Sequence, residues 1–211
     1  MPYMVAVPTG AQQYRGVRIV AGSLGGRVLR APHGAATRPT SEKVRQALFN
    51  ILGPPPEDTH VLDLFAGSGA LGLEALSRGV ASVTFVERAR PALAALHQNV
   101  TELEVEARVT VAPVDVGRFL ASSAAGPAGP PWRWVFLDPP YAAGVYEATL
   151  TALGELRARL SPRVSDDTVV VVEHAHRAPP PDRVGFLLRT DLRRYGDTEL
   201  SLYRFETRSP P

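Results

Sequence analysis

The 211-residue chain contains no cysteine, which excludes disulfide scaffolds, cysteine-ligated zinc, iron–sulfur clusters and thiol nucleophiles. Its apolar runs fall well short of the ~18 residues that cross a bilayer, so no membrane span and no membrane partner are expected. The opening stretch MPYMVAVPTGAQQY has neither a basic start nor a sustained apolar segment and does not read as a secretory signal. Residues 1–14 are expected to be a loose tail, and the cytoplasm is the expected compartment. The five histidines lack a zinc-like spacing, so no metal is expected. Lysine is nearly missing too: of 23 basic residues only Lys43 is lysine. Arginine suits phosphate forks and base stacking better than lysine does, although a GC-rich genome would favour it as well.

What is present is ordinary globular material, 45% hydrophobic and 21% charged, enough for one substantial core. The formal charge of +2 hides an asymmetry. Residues 1–50 hold six arginines and Lys43 against Glu42 alone, a net +6, while the remainder holds 16 basic and 20 acidic residues, a net −4. A polyanion near the N-terminus follows from that sign. From residue 61 onward, β-branched runs at 61–65, 82–87, 108–112, 132–138 and 168–173 alternate with helical patterns, the mark of βα units and a parallel sheet. Leu93, Leu96, Val100 and Leu103 make one apolar helical stripe; Leu150, Leu153 and Leu160 make another. At the end, 184–189 and 198–205 flank Tyr195-Gly196-Asp197 with no helix between them, which predicts an antiparallel hairpin. Upstream, 17–21 and 27–30 surround Gly25-Gly26 as a second, arginine-rich hairpin. Thr40 or Ser41 can then cap a helix buried through Val44, Ala47, Leu48, Ile51 and Leu52. The expected division is a tail (1–14), a hairpin-and-helix attachment (15–57), an α/β domain (58–206) and a tail (207–211).

The strongest motif is VLDLFAGSGALGLEAL at 61–76, a strand passing through a glycine turn into a helix. Gly67, Gly69 and Gly72 satisfy GxGxxG, and Glu87 ends the next strand twenty residues after Gly67. Both features suit an adenosine cofactor, the acidic group accepting ribose hydroxyls. Asp63 separates the candidates, because a carboxylate there would repel the pyrophosphate of NAD and attract the amine and sulfonium of S-adenosylmethionine. Asp115, after the third strand, reads as an adenine contact or a helix N-cap. At 138–141 stands Asp-Pro-Pro-Tyr, whose prolines force a stiff loop at the same sheet edge. Asp138 and the Pro139 carbonyl could accept both hydrogens of an exocyclic nucleobase amine, freeing its lone pair for a methyl group. Tyr141 could stack on that base, which must be unpaired or flipped. His174 and His176 could line the cleft, or be solvated loop histidines.

Together VLDLFAGSGALGLEAL, FVER, LDPPY, RIVAGSLGGRVL, TRPTSEKVRQALFNIL and RRYGDTELSLYRF resemble the bacterial RsmD family of S-adenosylmethionine-dependent 16S rRNA guanine-N2 methyltransferases. The resemblance implies a Rossmann-like class I methyltransferase fold, with a seven-stranded, mostly parallel sheet ending in an antiparallel hairpin. It implies Asp63, Phe65, Gly67 and Gly69 near the cofactor, with Glu87 on its ribose, Asp115 near its adenine and Arg88 beside them. Asp138, Pro139, Pro140 and Tyr141 would carry catalysis, and Arg38 and Thr40 would lie by the methionyl end or the RNA entrance. Arg15, Arg18, Arg27, Arg30, Lys43 and Arg45 would hold phosphates of 16S rRNA or the small ribosomal subunit, the protein acting as a monomer. The rivals are an adenine-N6 methyltransferase, an NAD-linked oxidoreductase and a non-catalytic assembly factor.

Overall fold

The βα alternation read from the sequence is realised in the computed structural model, which describes residues 17–31, 41–122, 129–139, 144–159 and 161–206. The parallel part comprises β3 (His60–Leu64), β4 (Ser82–Val86), β5 (Val109–Ala112), β6 (Trp134–Leu137) and β7 (Val169–Ala175). Helices α2 (Ala70–Ser77), α3 (Arg90–Glu102), α4 (Val116–Ala121) and α5 (Val145–Ala158) intervene. The strands β8 (Arg183–Val184), β9 (Leu187–Tyr195) and β10 (Thr198–Phe205) finish the sheet in the order β5-β4-β3-β6-β7-β10-β9-β8. Because β10 runs antiparallel to both β7 and β9, the turn at Gly196 returns to the end of the sheet where β3, β4 and β6 finish.

The sheet has eight strands rather than seven. At Gly185 the backbone takes a φ of 55°, which turns the chain back so that Arg183 and Val184 pair with Leu188 and Leu187. The segment expected as one strand at 184–189 is therefore divided, and β9 runs on to Tyr195 at the turn.

Pleating divides the side chains between two cores. Val61, Phe85, Phe136, Val171 and Leu200 face one cluster with Leu73, Leu96, and Val44, Leu48 and Phe49 of α1 (Glu42–Leu52). Leu62, Leu64, Val135, Leu137 and Val172 face the other, with Phe119, Leu150 and Leu153 of α4 and α5. Each fully buried side chain of this size contributes ~1.5–3 kcal/mol of transfer free energy. Ser41, one of the two residues expected to cap α1, accepts the Val44 N–H at 3.2 Å.

The short strands β1 (Val17–Arg18) and β2 (Val28–Leu29) pair as a separate hairpin docked on α2. Buried Glu74 accepts the N–H groups of Val20 (2.6 Å) and Ala21 (3.1 Å) and is bridged by Arg78 at 2.8 Å. The Ser77 hydroxyl donates to Ala21 O and accepts from Leu24 N–H at 2.9 Å. A side chain at Gly22 would meet the Ser77 carbonyl oxygen at 1.9 Å, so only glycine lets the hairpin approach the helix so closely.

Candidate active site

Four acidic residues stand on one face of the sheet at the ends of four adjacent parallel strands. Asp63 pairs in register with Phe85 on one side and Phe136 on the other, residues of the first core. Glu87 and Asp138 each lie two residues beyond those partners, on the same face, just past the ends of β4 and β6. One strand further along, Glu173 of β7 follows Val171, another first-core residue, and pairs with Leu200 of β10. Asp63 and Asp138, expected at the same sheet edge, are thus neighbours there, and the Asp138 charge raises the affinity of Asp63 for its proton.

Asp63 is 2% exposed and its Oδ2 accepts the Gly72 N–H at 2.9 Å. Burial pushes its carboxyl up to about 8; the Gly72 N–H opposes the shift, while Asp138 and Glu87 add to it. A buried, largely neutral acid of this kind gains most from a cationic ligand. The loop between β3 and α2 is shaped around it. Phe65 adopts φ 62°, a left-handed conformation costing a non-glycine residue about 1–3 kcal/mol, and Gly67 and Gly69 take φ 56° and 85°. Among the described residues nothing lies within 4 Å of a Cβ built at Gly67, which leaves room for a ligand beside that backbone. At Gly72 the reason for glycine is packing, since a Cβ would lie 2.3 Å from the Phe85 ring.

Glu87 fastens this loop to its own strand end: Oε2 accepts Gly67 N–H at 2.8 Å, and Oε1 accepts the N–H groups of Arg88 and Ala89 at 2.7 Å. Asp115 is the N-cap of α4, accepting Gly117 N–H at 2.9 Å, and also pairs with Arg88 at 3.1 Å. Asp138 is half-buried and Pro139 buried at the end of β6. Arg15, Arg38, Thr40, Pro140 and Tyr141 lie outside the described residues.

The basic residues divide. Arg18 and Lys43 are exposed. Arg27 donates to the Glu102 carbonyl at 2.6 Å, and Arg30 pairs with the Glu102 carboxylate at 2.7 Å, both remaining at the surface. Arg45 does not fit a phosphate contact: it is 1% exposed, on the inner side of α1, and donates to the Arg18 carbonyl. Burial lowers its pKa, while Glu74, Glu42 and Glu173 support its charge from within the protein. His174 is likewise no loop residue; it is buried in β7 and bonded to Ser201 Oγ at 2.8 Å. His176 is exposed, with its Nδ1 at hydrogen-bond distance, 2.7 Å, from Glu199 Oε1.

Sequence reasoning passed over Asn99. Its side chain is buried and joins two elements, accepting Arg30 N–H at 2.7 Å and donating to Arg30 O (3.1 Å) and to Ser68 O in the glycine loop (2.9 Å). A polar residue lying beside Leu96, Val100 and Leu103 was the available signal. A cavity of about 340 Å³ lined by His60, Ser82, Thr84, Trp132 and Arg163 lies on the α4 side of the sheet, away from the acidic row.

The pattern of the family described as Conserved hypothetical protein 95 matches residues 17–204. YlbH of Bacillus subtilis (strain 168), whose name provisionally describes an rRNA methyltransferase, is 38% identical over 188 residues, covering 89% of this chain and 98% of that protein. Ribosomal RNA small subunit methyltransferase D of Escherichia coli (strain K12) is 39% identical over 158 residues, covering 74% of each. The solved structure of the Escherichia coli protein yhhF, provisionally described as a methyltransferase, superposes with a TM-score of 0.75 at 32% identity, covering 91% of this chain and 99% of that one.

Proposed function

We propose, from the premise that the chain belongs to the RsmD family of Rossmann-like methyltransferases, that it methylates the exocyclic N2 amine of a guanine in 16S ribosomal RNA with S-adenosylmethionine as donor. The observation that carries the reading is the acidic row, with Asp63, Glu87 and Asp138 on one face of one rim. Asp63, proton-bound when alone, would exchange its proton for the cationic end of the donor. Glu87 would accept the ribose hydroxyls, Phe65, Gly67 and Gly69 would shape the wall, and Asp115 with Arg88 would border the adenine. Bound there, the donor supplies a methyl group already activated by a sulfonium, so no metal is required.

Asp138 and the Pro139 carbonyl would accept the two N2 hydrogens, allowing the nitrogen to pyramidalise and present its lone pair. The donor would supply its methyl group to that lone pair and keep the electron pair of the C–S bond on sulfur, and the amine proton would pass to Asp138 or to water. By the family resemblance, Pro140 and Tyr141 would complete the catalytic motif, with Tyr141 stacking on the base, and Arg38 and Thr40 would serve the methionyl end of the donor or the RNA entrance. Arg18, Arg27, Arg30 and Lys43, with Arg15, would hold phosphates without reading sequence.

The test is tritiated methyl transfer to naked 16S RNA and to small subunits from cells lacking the gene, with mass-spectrometric mapping of the product. N2-methylguanine at one position is the expected result. N6-methyladenine, or no incorporation into either substrate, overturns the reading.

A further inference from the structure

The charge count along the chain put the polyanion at the N-terminus, but the fold brings a second basic group to the same rim. Strands β7 and β9 both finish there, because β10 runs antiparallel between them. Continuing the acidic row outward, Glu173 pairs with Leu200, and Leu200 pairs with Arg193. Arg193 therefore shares the face that carries Asp138, and its side chain is 57% exposed beside Asp191. Two residues on, Tyr195 packs against the same first core and is half-buried. Beside it on the other face of the hairpin tip, where it pairs with Glu199, exposed Arg194 is held at the rim by the Gly196 carbonyl and by His176, each at 3.0 Å. Arg177, in the turn after β7, is exposed as well. Among the described residues neither Arg177 nor Arg194 has a carboxylate within ion-pair distance.

We infer that Arg177, Arg193 and Arg194 form a second phosphate-binding wall, which seats the RNA strand leaving the target nucleotide on the side opposite the N-terminal hairpin. This rests on the RNA reading above. In the strand order, β6, which leads into Asp138, lies between the half of the sheet that carries β1 and β2 on α2 and the half that holds β10 and β9. A nucleotide splayed into the rim leaves a phosphate on either side of it, and each needs cationic cover. Arginine held by a fixed carbonyl loses little freedom on binding one.

The experiment compares the intact protein with the triple variant Arg177→Ala/Arg193→Ala/Arg194→Ala on whichever 16S substrate the wild type methylates. Expected are a tenfold or greater rise in RNA KM, donor affinity within twofold of wild type, and a log K against log salt slope shallower by about 2, at ~0.7–0.9 per phosphate contact. An unchanged RNA KM and salt slope overturns the second wall while leaving the methylation reading intact. A wild type that methylates no RNA overturns the reading on which it rests. If the triple variant melts more than a few degrees below wild type, the single variant Arg177→Glu, in an exposed turn, supplies the same two readouts: raised KM and a shallower slope support the wall, unchanged values overturn it.

Discussion

Asp63 holds its proton at neutral pH because burial has raised its carboxyl to about 8, and that makes cofactor binding a proton-coupled event. A cation binds the ionised form, so donor affinity should strengthen as pH rises from about 6 to 8 and level off above that. Calorimetric titration at pH 7 in two buffers of different protonation heat should show proton release; equal heats and a flat affinity would count against Asp63 as the cation's partner. For folding the sign reverses. Between the ordinary 3.8 and about 8 the native carboxyl is protonated while the unfolded one is not, so its contribution to stability falls as pH rises through that window. Asp63→Asn, which keeps an acceptor for Gly72, should raise the Tm of the ligand-free protein at pH 8 and weaken donor binding severely. Asp138 answers to a different measurement. Asp138→Ala should leave donor affinity near wild type and lower turnover by about 10² to 10⁴, the range for losing a polar group that acts on the reacting atoms. Undiminished turnover would remove it from the chemistry.

At the scale of elements, the glycine turn is a packing device as much as a ligand cradle. The Gly72 N–H reaches Asp63 only because α2 lies tight against Phe85. Gly72→Ala should lift the helix, cost ~1–3 kcal/mol as an overpacked contact, and lower donor affinity by loosening the Asp63 bond. In a double-mutant cycle with Phe85→Leu the two changes should be strongly coupled, read as Tm and urea midpoint; additive effects would mean that the helix never moved. The sequence exposes the parts of these elements that obey local rules: the strand residues, the glycines and the cap at Ser41. It conceals the parts set by distant neighbours. Asp63 and Glu87 could be assigned from spacing, yet Asn99 could not, because its partners Arg30 and Ser68 are 69 and 31 residues away. Arg45 misled for a similar reason: one step around the helix from Val44, it counts as surface charge on composition and as core on geometry.

The whole molecule adds what neither residue nor element carries, which is the sharing of one rim by groups remote in the chain. Composition placed positive charge at the N-terminus only, since Arg193 and Arg194 sit in an acidic half of the sequence and reach the rim through the antiparallel hairpin. The sheet order also sets the cofactor choice on trial as a property of the entire fold. A ligand that binds only the native state raises its stability by about 2.7 kcal/mol at one hundred times Kd. For a domain of 150–250 residues each kcal/mol moves Tm by about 2–4 °C, so saturating S-adenosylmethionine should raise the melting temperature by ~5–10 °C. NAD at the same concentration should leave it unchanged, because its pyrophosphate would meet Asp63, Glu87 and Asp138 on a single face. The Asp63→Asn variant, already melting higher without ligand, should show little further rise with the sulfonium donor. Equal stabilisation of the wild type by both cofactors would mean that the acidic row does not select for positive charge.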